Sequence, residues 1–512
     1  MLCQTAAAGK AGRFAAPPWD DRHPDWLRLD ARLAEDHLAR QLDLVVDLLD
    51  LSGLQAAYRG TGTAAYRPEL MLKVALYESR LGSPSPADWC RHARENEPAR
   101  WLARGIEPSR ARWYAFRDRL APHLEGLNRQ ALQLAQALGL TEATRAAQDG
   151  TTVAARASRH RLCNAERLAG CLRLLQQACD ADRRGAAPPP LPGWVAATAR
   201  GRQQQLARYQ RAEQALAARL RDEQHKRRCD RQDPAKLRVA PSEPEAALGL
   251  DKLKVYRPLY NVQLLADLDS PLVLAYGVFA QASDVGTLGP MLARAEGLLG
   301  HRLAQQAADP AYATGPHLAA AEQAGVEVYS PGPEAAAAAR ARRRPPAWLP
   351  KGAFRWDAAG GAYCCPRGHR LELATVRRQQ RSAGERVRVE EYRCPAEHCR
   401  DCPLAAWCTP RPDRGRAVTR SEHEAAFERL RQRMASAEGQ QAYRLRKQTV
   451  ELGFADQKEH RGLRRFCGRG PARAEAQVGL CVLAHNGLAV VRAAADTSRG
   501  KPPDAKPPEG TA

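Results

Sequence analysis

The sequence has no run of about 18 or more apolar residues, the minimum that indicates a membrane-spanning helix. The segment Met1 to Ala16 also lacks the apolar core of a secretory signal. We therefore expect a cytoplasmic protein with no membrane partner. In that reducing compartment its 14 cysteines are not expected to form a disulfide framework, so a tight cluster of them indicates a metal site.

Acidic residues are few relative to basic ones. The chain has 57 Asp and Glu against 79 Lys and Arg, a formal net charge of +22. Arginine-rich surfaces bind phosphate oxygens and give salt-dependent affinity for nucleic acids, so DNA or RNA is the indicated partner. The alternative is a charge that serves only solubility. A chain of 512 residues is expected to fold as about three units.

Capped helices are predicted from Tyr66 onward, after a weakly patterned lead-in (residues 1–63). Ser85 and Ser109 stand at N-cap positions before two of these helices. Arg112 and Arg117 flank the apolar stripe of the helix that follows Ser109. The whole helical unit over residues 64–140 is similar to a helix-turn-helix DNA reader. A helical bundle with solvated arginines remains the alternative.

The remaining chain alternates between strand-like and helical segments. Tyr260 to Asp267 and Leu272 to Ala280 are β-rich and predict a hairpin, and the helices and strands that follow indicate an α/β fold. The predicted divisions are a first catalytic part (141–165), a helical basic insert (166–250), a second catalytic part (251–330), a linker with a cysteine-rich insert (331–415), a C-terminal catalytic part (416–493) and a disordered tail (494–512).

Three acidic residues stand where an acid is unusual or accessible. Asp149 lies within a short apolar and β-branched segment, Asp309 follows the segment Leu303 to Ala308, and Glu451 lies in a helical segment two turns before Lys458. Three carboxylates can anchor two divalent ions about 4 Å apart for phosphodiester chemistry. Arg446 and Lys458 would then hold DNA phosphates beside them. Taken singly, each acid is better explained as an exposed surface charge or a helix cap.

From about Tyr66 to about Arg492 the chain resembles the DDE transposases of bacterial insertion sequences. The resemblance rests on the order and spacing of several short motifs: Asp149-Gly150-Thr151-Thr152, Tyr260-Asn261-Val262-Gln263, Ala308-Asp309-Pro310-Ala311-Tyr312, Tyr443-x2-Arg446, Glu451-x6-Lys458 and Gly462-Leu463-Arg464-Arg465-Phe466. Two departures are that Pro310-Ala311 replaces the usual glycine before Tyr312, and that one extra residue separates Arg446 from Glu451.

This resemblance implies an RNase H-like mixed sheet flanked by helices, with Asp149, Asp309 and Glu451 as the metal-binding triad. It also implies two Mg²⁺ (or Mn²⁺), the element's terminal inverted repeats and target DNA as partners, a homodimer in the synaptic complex, and a nucleoid-associated bacterial protein. Arg464 and Arg465 join Arg446 and Lys458 as expected DNA contacts. The alternatives are a decayed or reused transposase that only binds DNA, and a nuclease that cuts without joining.

The cysteine-rich segment predicts a structural zinc site. Cys399 and Cys402 have the spacing of a zinc knuckle, since two thiolates on one turn can reach the same tetrahedral ion. With Cys365 and Cys408 they form the favoured four-ligand set, while Cys364, Cys394, His369 and His398 are alternative ligands. A closed site of four protein ligands would brace the insert and would not take part in catalysis. The other explanation is a set of free thiols.

Overall fold

The computed structural model describes residues 13–60, 62–226, 228–332, 349–380 and 386–498. The chain divides into two compact units. The first unit comprises Met1–Ala212, Arg238–Ala304 and Leu445–Ala512, and the second comprises Glu213–Leu237 and Gln305–Arg444. Most of the predicted disordered tail and about half of the predicted linker lie outside the described residues.

Eight helices that precede the first strand form much of the first unit. They are α1 (Pro24–Asp30), α2 (Leu38–Asp47), α3 (Ser52–Ala56), α4 (Pro68–Arg80), α5 (Pro86–Glu95), α6 (Glu97–Ala103), α7 (Arg110–Leu120) and α8 (Leu124–Ala137). Ser85 caps α5 as predicted, because its hydroxyl accepts from the Ala87 N–H at 3.3 Å. Ser109 precedes α7 but makes no side-chain cap hydrogen bond.

The segment predicted as a weakly patterned lead-in (residues 1–63) contains α1, α2 and α3. Leu42, Val45 and Leu54 are buried there in the same core cluster as Trp89 and Trp113. These helices are too short to be stable alone, so packing against the rest of the unit stabilises them. The lead-in is thus an integral part of the first unit.

One long C-terminal helix, α18 (Pro471–Ser498), runs through this core. It contacts α2, α4 and α8. At Gly487 a side chain would overlap Val45, so the absence of a Cβ lets α2 approach the helix closely. The helix is long and apolar enough to cross a membrane, but 72% of its most apolar window is buried inside the protein, as in the core helix of a globular unit.

A four-stranded antiparallel group completes the first unit's described β-structure. Its strands are β1 (Arg145–Ala154), β2 (Ala247–Leu250), β3 (Tyr256–Asp267) and β4 (Val273–Phe279), and β3 pairs with each of the others. The pairing of β3 with β4 confirms the predicted hairpin. Helix α11 (Leu288–Leu299) follows, and Met291 and Leu298 pack with Leu265 of β3.

Two helices occupy the predicted basic insert, α9 (Ala165–Arg183) and α10 (Ala199–His225). Leu175 of α9 and Leu206 of α10 share a small cluster with Trp194 and Tyr209. Arg202 of α10 pairs with Asp182 of α9, with its Nε 2.7 Å from Oδ2. The insert therefore has its own apolar contacts. Within the insert only Glu213–Leu237 belong to the second unit, and the residues before and after that stretch belong to the first.

The second unit contains a parallel strand pair and a separate antiparallel sheet. Strands β5 (Gln305–Ala307) and β6 (Glu327–Tyr329) pair in parallel around α12 (Gly315–Gln323). The second sheet has the order β11-β10-β9-β8-β7. Its strands are β7 (Arg355–Asp357), β8 (Ala362–Cys364), β9 (Arg370–Gln380), β10 (Arg386–Arg393) and β11 (Ala417–Ser421).

Short helices α13 (Ala396–Arg400) and α14 (Ala405–Cys408) lie in the chain between β10 and β11, and α15 (Glu424–Ala435) and α16 (Ala437–Arg446) follow β11. A π-helical turn (Lys447–Glu451) and α17 (Leu452–Glu459) lead into the first unit's C-terminal part. The mixed α/β class is confirmed, whereas the RNase H-like assignment stays a prediction.

If α2 belongs to the core, truncating its buried face must destabilise the protein. We expect Leu42→Ala, at a fully buried position, to lower the free energy of unfolding by about 2–5 kcal/mol, the usual cost of such a cavity. Leu44→Ala on the same helix, where the side chain is 52% exposed, is the matched control and is expected to change it by less than about 0.5 kcal/mol. Equal thermal unfolding midpoints for the two variants would contradict this placement.

Candidate active site

Asp149 lies near the middle of β1 and is held by a buried arginine. Its Oδ1 accepts from the Gly150 N–H at 2.8 Å and lies 3.4 Å from Nη2 of Arg446. The Arg446 side chain is only 2% exposed, and its Nε also donates to the Gln148 carbonyl at 3.4 Å. A buried guanidinium needs a charged partner, so this ion pair orients the Asp149 carboxylate.

The π-helical turn that carries Glu451 packs against the strand that carries Asp149. Residues Lys447–Glu451 form this turn directly after α16, and the turn contacts both β1 and β3. The Thr449 hydroxyl donates to the Leu445 carbonyl at 3.2 Å within it. Single π turns are rare and frequent at functional sites. The extra residue noted between Arg446 and Glu451 falls in this turn, and a π turn accommodates one residue more than an α-helical turn.

Lys458 of α17 reaches the same face of β1. Its Nζ donates to the hydroxyl of Thr151, which lies two residues after Asp149 and therefore on the same face of the strand. Burial, together with the charges of Lys252 and Arg464, lowers the pKa of Lys458 to about 8, and the Asp149 carboxylate partly opposes the shift. An amine in this setting gains from a neighbouring anion, such as a phosphate.

The opposite face of β1 carries a buried polar network. Gln148 Nε2 donates to Gln263 Oε1 at 2.8 Å, and the Asp284 carboxylate accepts from both Gln263 and Asn261 at 2.8 Å. A Cβ at Gly150 would overlap Asp284 and Gln263, so glycine is required where the network meets β1. The alternating polar residues of Tyr260-Asn261-Val262-Gln263 indicate a polar face in the sequence, but the sequence did not predict that these residues hold β1 in place.

Asp309 lies in the second unit, two residues after β5. The side chain is half-buried, and its Oδ1 accepts from the Tyr443 hydroxyl of α16 at 3.4 Å. The Tyr312 N–H donates to the Asp309 carbonyl at 3.0 Å and forms a tight turn. Strand β5 is shorter than predicted, but Asp309 still stands just beyond a strand end. The turn keeps Tyr312 buried despite Pro310-Ala311.

The first unit thus brings together Asp149, Arg446, Lys458 and the turn that carries Glu451. The carboxylates of Asp149 and Asp309 are hard oxygen donors of the kind that Mg²⁺ and Mn²⁺ prefer. Among the side chains that the structure describes, no group of three or more His, Cys, Asp or Glu is arranged to hold a metal ion. The side chain of Glu451 is not among them, so the triad stays a prediction.

The other predicted DNA contacts occupy different environments. Arg465 and Arg112 are exposed, and Arg464 is exposed but forms an ion pair with Glu459. Arg117 is buried at 7% exposure, and its Nη2 lies 2.6 Å from Asp118 Oδ1. Arg446 is likewise buried in its pair with Asp149. These two buried arginines each pair with an acidic side chain of the protein, whereas Arg112 and Arg465 are exposed at the surface.

Five cysteines of the second unit line one small cavity. Cys365, Cys394, Cys399, Cys402 and Cys408 surround a space of about 20 Å³ together with His369 and His398. The Cys365 N–H donates to the His369 carbonyl at 2.9 Å and closes a turn between these two residues. The rings of His369 and His398 stack with centroids 4.3 Å apart.

Cys394 is the most buried of these thiols, at 2% exposure. Burial, its hydrogen bond with Cys399 and the proximity of Cys365 and Cys408 together raise its pKa to about 12. Thiols that oppose each other's ionisation are the groups that a bound cation would deprotonate. The thiols share a cavity but are not arranged around a metal position, so the zinc site stays a prediction. Because Cys394 lines the same cavity, it is a candidate ligand in addition to the favoured set.

Two family models match the chain. A Transposase DDE domain matches residues 364–489, and a Transposase domain (DUF772) matches residues 27–119. They confirm the resemblance to the DDE transposases of insertion sequences. No curated protein and no solved structure matches the chain. The first range includes the cysteines, Arg446, Glu451 and Lys458, and the second includes α2 and α3, within the segment predicted as a lead-in. Asp149 and Asp309 lie outside both ranges.

The lowered pKa of Lys458 predicts a pH-dependent effect of removing its charge. The unfolded chain binds more protons than the folded chain between about pH 8 and the ordinary lysine value of 10.5, so Lys458 makes the fold more stable as pH rises through that window. We expect Lys458→Met to raise the unfolding midpoint by about 2 °C at pH 7 and by less at pH 10, where the wild-type amine is mostly neutral.

Lys236→Met is the control, because that lysine is exposed. Its effect on the midpoint is expected to be equal at the two pH values, and calorimetry on all three proteins measures both differences. A Lys458→Met difference that did not change between pH 7 and pH 10 would show that burial does not shift this amine.

Proposed function

We propose that this chain, an insertion-sequence transposase of the DDE type by its two family matches, cuts the ends of its element and joins them to target DNA. The observation that carries the proposal is the arrangement on β1. There the Asp149 carboxylate, held by the buried Arg446, lies on a strand that packs against the π turn of Glu451. The Lys458 amine donates to Thr151, two residues further along the same strand.

The carboxylates of Asp149, Asp309 and Glu451 would hold the divalent ions. When bound, such ions activate the attacking oxygen and stabilise the leaving oxygen of a phosphodiester. Arg446 orients the Asp149 carboxylate through their ion pair, which is a positioning role. Lys458 lies beside this carboxylate and places a positive charge where a DNA phosphate would lie, which offsets the repulsion between phosphate and acids.

The family resemblance and the order of the elements along the chain support an RNase H-like catalytic part, a DNA partner and a homodimer. A hairpin, a helix and a parallel strand pair around a second helix succeed one another after β1, and this order supports an RNase H-like catalytic part. The net charge of +22 supports DNA as the partner. The two element ends must meet before strand transfer, which supports a homodimer.

We also propose that zinc braces the second unit at the cysteine cavity. Four of five cysteines would bind the ion: Cys399, Cys402 and Cys408, with Cys365 or Cys394 completing the set. The cavity lies among apolar side chains that include Phe354, Leu371 and Tyr392, so an ion there would tie α13 and α14 to the antiparallel sheet. It is a structural site, because four protein ligands leave no place for a substrate.

Neutralising any member of the triad is expected to abolish cleavage and leave DNA binding intact. Asp149→Asn, Asp309→Asn and Glu451→Gln should each slow Mg²⁺-dependent cleavage of the terminal repeats by about a hundredfold or more, since metal-ion catalysis supplies several kcal/mol. Asp413→Asn, at an exposed acid 63% accessible in its side chain, is the matched control.

Gel-shift affinity for the same duplex, measured beside cleavage, separates catalysis from folding. A neutralised variant that cleaved as fast as the wild type would remove that residue from the triad. A wild type that binds the repeats without cutting them would select the DNA-binding alternative, and cleavage without joined products from a pre-cut end would select the nuclease.

The zinc proposal predicts metal content and stability together. The wild type should purify with about one zinc ion per chain, measured by mass spectrometry of the metal, and Cys399→Ser or Cys402→Ser should lose it along with thermal stability. Cys229→Ser, at an exposed cysteine outside the cavity, should keep both. Comparing Cys365→Ser with Cys394→Ser identifies the fourth ligand. A metal-free wild type with an unchanged unfolding midpoint in chelator would contradict the site.

A further inference from the structure

A second basic site lies at the far end of the strand that carries Asp149. A cavity of about 270 Å³ in the first unit is lined by Ala154, Ala155, Ala157, Ser158, Arg159, His160, Arg257 and Arg465. The walls thus combine small alanines with three arginines and a histidine. None of the described residues that line this cavity is acidic.

The charges of this cavity are only partly compensated. Arg257 pairs with Asp251, with its Nε 3.0 Å from Oδ2. Among the contacts of the described residues, Arg465 donates to the Ala157 carbonyl at 3.4 Å and Arg159 to the His160 ring at 3.2 Å, and neither contacts a carboxylate. Two guanidinium groups with spare donors at one concave site favour an anion with several oxygens, such as a phosphate.

Backbone contacts fix these arginines relative to β1. The Phe466 N–H donates to the Ala154 carbonyl at 2.9 Å, so Arg465 stands beside the last residue of the strand. On the other side the Ser158 hydroxyl accepts from the His160 N–H at 3.3 Å and shapes the turn that carries Arg159. The positions of both arginines therefore depend on the same strand as Asp149.

The separation along β1 sets a register on DNA. Asp149 and Ala154 are five residue steps apart on an extended strand, a distance of about 17 Å. At a rise of about 3.4 Å per base pair, this distance corresponds to about five base-pair steps. On a duplex whose axis runs along β1, a backbone phosphate held at the cavity would lie about five base-pair steps from a bond positioned at Asp149.

We infer that the cavity of Arg159, Arg257 and Arg465 is a DNA-phosphate anchor that sets where the cleaved bond lies. The inference rests on the proposed function and adds to it a binding site and a measurable spacing. A backbone phosphate suits the cavity better than a base, because most of the polar side chains in its walls are hydrogen-bond donors and its apolar part consists of alanines without an aromatic side chain for stacking.

The experiment replaces single phosphates of the terminal-repeat duplex by neutral methylphosphonates and measures affinity for the full chain in EDTA, where cleavage does not interfere. We expect neutralisation about four to six nucleotides from the cleaved bond to weaken wild-type binding about tenfold, the loss of a charge-assisted hydrogen bond. Arg159→Ala/Arg465→Ala should bind all these duplexes equally, because the contact is already absent.

Arg161→Ala/Arg464→Ala is the matched control. It removes the same number of exposed arginines at neighbouring positions that do not line the cavity. Its overall affinity should fall, but the positional sensitivity to methylphosphonate should remain. If the two double variants give the same positional profile, the anchor is wrong.

Two further measurements distinguish a failure of the phosphate anchor from a failure of the proposed catalytic function. Cleavage by the wild type in Mg²⁺ tests the catalytic proposal, and a protein that fails to cut but keeps the positional profile supports the anchor alone. Inorganic phosphate is tested by thermal shift. Stabilisation of the wild type by inorganic phosphate without any positional profile on DNA would assign the cavity to a free anion and overturn the inference.

Discussion

The buried ion pair between Arg446 and Asp149 is the interaction on which the candidate site depends. A guanidinium that is 2% exposed has lost most of its hydration, and the cost is offset only where a carboxylate and a carbonyl replace the water. The pair links β1 to the end of α16, so the π turn that follows packs on the strand. Removing either partner would leave an uncompensated charge in the core, which is more costly than the loss of a surface salt bridge.

Strand β1 carries polar side chains on both faces, and the two faces make different contacts. One face carries Asp149 and Thr151 toward Arg446 and Lys458. The other face holds Gln148 in a network with Gln263, Asn261 and Asp284, whose amide and carboxylate groups partner one another. A connected buried network resists small shifts, because moving one member breaks several hydrogen bonds. The network therefore stabilises the position of β1 beneath the face that carries Asp149, and it leaves no room for a side chain at Gly150.

The second unit includes several short strands and helices around a small core. Strands of three residues and helices of four or five residues contribute little stability alone. Five cysteines at one cavity, together with the aromatic cluster of Trp356, Tyr363 and Tyr392, concentrate the core of this small sheet. Such a region benefits from a metal ion because its apolar core is small. Asp309 lies in the same unit, in a turn tied to Tyr443 by a hydrogen bond.

The sequence by itself determined the chemistry of this protein: the basic charge, the acids, the cysteine spacing and the hairpin depend on residue type and local order, and these are read directly from the chain. It did not reveal that residues 24–56 are core helices, because helices of 5 to 10 residues are stabilised by distant partners such as α18. Only the tertiary structure decided that Arg446 and Arg117 face inward while Arg465 and Arg159 line a cavity. An arginine's exposure depends on whether a carboxylate from elsewhere in the chain offsets its desolvation, and no local pattern records that.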